Sequence, residues 1–84
     1  MTKEKIEQFI EYNPINYSTP NRINYKNGSH KIGFFDYFDD YEKLKSENKW
    51  RFILNKDAYD YQKTKSKDFS VIINGDDLLN IELS

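Results

Sequence analysis

Apolar residues follow two different rhythms along this chain. Near the N-terminus Ile6, Phe9 and Ile10 share one face at helical spacing. Thr2 stands where an N-cap would, Glu4 follows in the first turn, and Asn13-Pro14 stops the pattern, because the residue before a proline avoids the helical region. The spacing predicts a helix over about 2–12. Residues 13–20, NPINYSTP, contain both prolines and read as a connector. After Pro20 the rhythm becomes two. Ile23 and Tyr25 alternate with Arg22, Asn24 and Lys26 in a first strand. A second strand runs through Ile32, Phe34, Phe35, Tyr37 and Phe38, and a third from Trp50 to Asn55. Phe69 to Ile73 and Leu78 to Leu83 make a fourth and a fifth. Between them, Leu44 to Lys49 reads as a polar turn. Lys56 to Asp68, apolar only at Ala58, Tyr59 and Tyr61, reads as a loop or a frayed hairpin end.

Glycines punctuate this pattern. Asn27-Gly28 is a tight-turn pair, with Gly28 supplying a positive φ at little cost. Gly33 lies inside the second strand, where a glycine marks a bulge, a sharp bend or a close approach of another backbone. A helix followed by five short strands predicts a mainly β fold, with residues 21–83 forming a strongly bent antiparallel small barrel. The length of 84 residues supports one domain, 1–84.

Composition sharpens this picture. Only 37% of residues are hydrophobic, so a small core must rest on the seven tyrosines and six phenylalanines. There is no cysteine, hence no disulfide framework and no thiolate metal site. The net charge of -1 gives no general electrostatic grip on nucleic acid. No apolar run nears the roughly 20 residues of a membrane span, and MTKEKIEQFIEYNP is too acidic for a signal peptide, so a cytoplasmic protein is expected. Abundant Asn, Lys, Ile and Tyr beside a single alanine fit an AT-rich bacterial or phage genome.

One set of spacings carries a resemblance. Asn27-Gly28 leads to Gly33, then to apolar Phe35 and Phe38, Asp39, the aromatic Tyr41 and Leu44. This is similar to the first signature motif of the Sm and Sm-like proteins (LSm and Hfq-like). The run IINGDDLLNI, Ile72 to Ile81, resembles their second motif. The likeness spans roughly Lys3 to Leu83 but rests on about eight positions. It implies an open barrel that closes into rings, with the fourth strand of one copy, Phe69 to Ile73, pairing with the fifth, Leu78 to Leu83, of the next. It also implies contacts to single-stranded RNA. A base would stack on Tyr41, and Lys43, Asn74 and Gly75 occupy the remaining contact positions. Lys43 stands where the family has an asparagine and Asn74 where it has an arginine. Lysine reaches a phosphate but does not read a base edge bidentately.

Several side chains invite chemistry. Asp36, Asp39 and Asp40 could supply oxygen ligands to a divalent cation, but in a strand Asp36 and Asp40 share a face and Asp39 faces away. No metal site is expected, and Asp39 reads as a turn-fixing residue. His30, the one histidine, reads as an exposed turn residue. YDYQKTKSK, Tyr59 to Lys67, interleaves aromatics with bases as single-strand binders do, yet reads more simply as a polar loop. No nucleophile–base pair or phosphate loop stands out. The expectation is a non-catalytic module without cofactor, either Sm-like, self-associating and RNA-associated, or an SH3-like protein-interaction module without RNA.

Overall fold

The computed structural model describes residues 1–84. Helix α1 (Lys3–Tyr12) is capped by Thr2, whose side chain accepts from the Lys5 amide. Strand β1 (Asn21–Tyr25) and β2 (His30–Phe35) form a hairpin around Gly28, whose φ of 92° is in the left-handed region. Helix α2 (Tyr41–Ser46), β3 (Lys49–Leu54), helix α3 (Ala58–Thr64), β4 (Ser70–Asn74) and β5 (Leu78–Leu83) follow. The strands make one antiparallel sheet in the order β4-β3-β2-β1-β5.

The first four strands pair with chain neighbours, while β5 crosses to the far edge beside β1. Only the 3-10 turn Gly75–Asp77 joins β4 to β5. Four strand spacings of about 4.8 Å would separate the edges of a flat sheet by about 19 Å. The chain from Asn74 to Leu78 spans at most about 14 Å. The sheet is therefore strongly curled. It is not closed, because no ladder joins β4 to β5. Gly33 permits one tight contact in this curl: a Cβ there would sit 2.0 Å from the Ile53 carbonyl oxygen.

The main core occupies the face covered by α1. Ile6 and Ile10 meet Ile23, Phe35, Trp50, Phe52, Ile73 and Leu78. Successive strand residues point to opposite faces. Phe34 and Ile53 consequently lie on the other face, where they are equally buried and where Ala58 and Tyr61 of α3 are also sealed. Tyr17 from the connector packs on Phe34 at 5.1 Å. Covering on both faces explains the unbroken apolar runs GFF and FIL in the central strands.

Three expectations are corrected. Helix occupies 38% of the chain and strand 33%, so the fold is mixed rather than mainly β. The second strand stops at Phe35 instead of continuing to Phe38. Helices α2 and α3 replace the polar turn and the long loop. Tyr41, Leu44 and Lys45 form one face of α2, and Lys45 ties it to α1 through Glu7 at 2.5 Å. Within α3 the only buried residues are Ala58 and Tyr61, three apart on one face. Both helices are held by tertiary contacts that weak local periodicity does not announce. No helix is long and apolar enough to cross a membrane.

Candidate functional site

The acidic stretch after β2 is held by three partners, Tyr61, Arg51 and Lys67, the last lying between Asp39 and, at 3.9 Å, Asp40. Asp36 accepts from the Tyr61 hydroxyl at 2.5 Å and from the Tyr37 amide at 2.8 Å. Asp40 accepts from Arg51 of β3 through Nε and Nη2, the shortest contact being 2.8 Å. Asp39 accepts from Lys67 at 2.9 Å. Hydrogen bonding to Arg51 holds the Asp40 carboxyl below its ordinary range, and Lys67 does the same for Asp39. Burial, helped by Asp36, pushes the Tyr61 phenol up. No group of three or more acidic, histidine or cysteine side chains could hold a metal ion. The strand parity used to separate these acids does not apply, since they follow the end of β2. They fan out instead to α3, β3 and the turn before β4.

Tyr41 opens α2. Its ring lies 4.6 Å from Tyr37 and 5.9 Å from Trp50, with Lys45 Nζ over it at 5.5 Å. Burial, with smaller contributions from Tyr37 and Glu7, pushes its pKa up to about 12. Lys43 is exposed on the same helix. Asn74 ends β4 and caps the following turn, its side-chain oxygen accepting from the Asp76 amide at 3.0 Å. Gly75 is buried, and its amide donates to the Asn48 carbonyl at 2.7 Å.

Asn48 links these pieces and was not singled out from the sequence. It has a φ of 56°, a left-handed conformation that asparagine tolerates better than most residues. Its side-chain oxygen accepts from Trp50 Nε1 at 2.9 Å. Its Nδ2 donates to the Met1 carbonyl at 2.9 Å and to Asp76 at 3.0 Å. The Met1 amine in turn donates to the carbonyls of Gly75 and Leu78. A Cβ on Gly75 would fall 2.2 Å from Asn48 Oδ1. The structure thus brings Asn74 and Gly75 to Asn48, and through Trp50 to Tyr41. Lys43 makes no side-chain bond to this group. The sequence signal for Asn48 was an asparagine at the end of SEN, just before a strand, a place suited to a left-handed residue.

The aromatic–basic stretch forms α3 and the turn beyond it. Lys63 stands over Tyr59 at 4.2 Å, and Lys65 reaches both Tyr17 and Tyr61. His30 is exposed at the start of β2.

A scan against protein-family models, a search of curated proteins and a search of solved structures each return no match to this chain.

Proposed function

We propose that this chain is a non-catalytic binding module on an Sm-like, nearly closed small barrel, and that copies associate edge to edge, β4 of one with β5 of the next. The observation that carries this reading is the state of the two edge strands. Each pairs on one side only, and they expose Ile72 (51%), Leu79 (61%) and Leu83 (57%). Open edges with apolar side chains are prone to pair with another strand. Single-stranded RNA is the proposed ligand, stacking on Tyr41, with Lys43 at a phosphate and Asn74 and Gly75 beside them. The absence of cysteine suits a reducing compartment, and the cytoplasm is the proposed setting.

Solution mass tests the assembly: a closed hexamer or heptamer is expected, and a clean monomer sinks it. Titration with U-rich and A-rich RNA at two salt concentrations tests the ligand. Tyr41→Ala should weaken binding about tenfold, the worth of one lost base stack. An unchanged affinity removes Tyr41 from the site.

A second reading, a protein-interaction module without RNA, is favoured by one specific observation. Tyr41 packs against Trp50 and Tyr37, and the Asn74 side chain already caps its own turn. No RNA binding at low salt, together with a small oligomeric state, would select it.

A further inference from the structure

A groove between the connector and the end of β5 carries polar chemistry that neither the core nor the Tyr41 region uses. Its volume is about 680 Å³, within the range of small-molecule sites. Tyr12, Asn13, Asn16, Tyr17, Asn21 and Leu83 are among the residues lining it, and none of its lining residues is charged. In a chain that is 32% charged, Tyr12 to Asn21 is the longest uncharged run.

Asn21 is the unusual member. It is 8% exposed, its side-chain amide takes no partner within the chain, and neither polar atom is sealed from the groove. Every other asparagine except the exposed Asn55 uses its side chain in an internal bond. With no partner inside the chain and both polar atoms open to the groove, this amide is free to bond a partner from outside. No internal bond fixes which way round it sits, so it can present a donor and an acceptor side by side. Tyr12 is 76% exposed, and its ring packs on no other aromatic ring. Tyr17 is fixed on Phe34, and Lys65 Nζ, itself outside the lining, sits 3.2 Å from its hydroxyl.

We propose that this groove binds an adenine base. Asn21 reads the N6/N7 edge, Oδ1 accepting from N6–H and Nδ2 donating to N7. Tyr12 stacks on the base, and Lys65 meets the phosphate of an attached nucleotide. An uncharged lining suits a neutral ring and would leave a buried carboxylate or phosphate unbalanced. A peptide group offers the same donor–acceptor pair but no flat face for Tyr12. None of Tyr41, Lys43 and Asn74 lines the groove, so this site and the proposed RNA contact at Tyr41 fail independently; Leu83 at the end of β5 is shared with the proposed edge-to-edge assembly, which solution mass tests separately.

The test is titration of the isotope-labelled full chain with adenosine, AMP, inosine and oligo(A), followed by amide NMR. Adenosine should shift the Asn21 side-chain NH2 signals and the backbone amides of the connector. Inosine, which presents an acceptor at position 6, should bind at least about fivefold more weakly. Tyr12→Ala should weaken adenosine binding about tenfold. Asn21→Leu should abolish the discrimination against inosine while the rest of the spectrum keeps its dispersion. AMP should bind more tightly than adenosine, and Lys65→Ala should erase that gain alone. Oligo(A) binding tighter than AMP identifies a single strand as the source of the base, and equal binding identifies a free nucleotide. The proposal is overturned if adenosine causes no shifts up to about 10 mM, if inosine binds equally well, or if Asn21→Leu leaves adenosine affinity unchanged. Shifts from a short neutral peptide but none from adenosine overturn it too.

Discussion

Asn48 and Asn21 are the same residue in opposite circumstances. At the turn between α2 and β3, every polar group on the Asn48 side chain is engaged, and its carbonyl holds Gly75. Under the connector, Asn21 is more deeply buried, and its amide is bonded to nothing in the chain. The difference separates two uses of a polar side chain. A satisfied asparagine fixes geometry and has no capacity left for a ligand. One without an internal partner, open to a groove, keeps its capacity. Departures from internal consistency are expected where a protein binds something.

The largest expected effect breaks the satisfied side. Asn48→Ala removes three side-chain hydrogen bonds and puts alanine in a left-handed conformation. It should cost roughly 2–4 kcal/mol in urea unfolding, and a loss below about 1 kcal/mol would show those bonds to be idle. Asn48→Gly keeps the backbone relaxed, so the gap between the two variants, about 1 kcal/mol, reports the strain alone. Next in size is Gly75→Ala, whose Cβ drives into the Asn48 amide. That amide is pinned by three bonds and gives way poorly, so a cost of about 1–3 kcal/mol is expected from the same unfolding curves.

A subtler consequence is readable by pH. Tyr41 and Tyr61 both have phenols raised above their ordinary value, chiefly by burial. A group raised on folding contributes stability that is whole below its unfolded pKa, about 10, and is lost as pH climbs through its folded value. Stability should therefore fall from about pH 10 upward. Tyrosinate absorbance should show the Tyr41 transition near 12. Asn48→Ala releases Trp50, the neighbour that shields Tyr41, and should bring that transition down toward 10. Asn21→Leu should leave it in place. The smallest effect is on stability itself: Asn21→Leu should change it by no more than about 0.5 kcal/mol, or raise it, because no bond is lost. A loss above about 2 kcal/mol would mean that the amide is bonded in solution after all.

Much of the architecture was legible from spacing. The helix stripe Ile6, Phe9 and Ile10, the hairpin at Gly28 and the places of the five strands read directly, with alternation clear in the first strand, because burial on a face imposes a period. What did not read was structure maintained by single distant partners. Lys45 needs Glu7 to hold α2 on α1, and Tyr61 needs Asp36 and the back of β2 and β3 to hold α3. Tyr41 resembled an exposed stacking residue, yet it opens a helix and packs on Trp50. Asn21 carried no signal in the sequence. Its unbonded state emerges only when every other partner has been accounted for.

The path of the chain through the sheet has a kinetic consequence. β1 to β4 are joined by local connections, but β5 must find β1, bringing together residues such as Asn24 and Asn80, 56 positions apart. Loop-closure entropy makes that search the slowest part of assembly. Until it succeeds, Leu78 is missing from the core and the outer edge of β1 is bare. That edge accepts any strand of sequence LLNIEL, including the one carried by another copy. Crowded refolding should therefore divert some molecules into exchanged dimers.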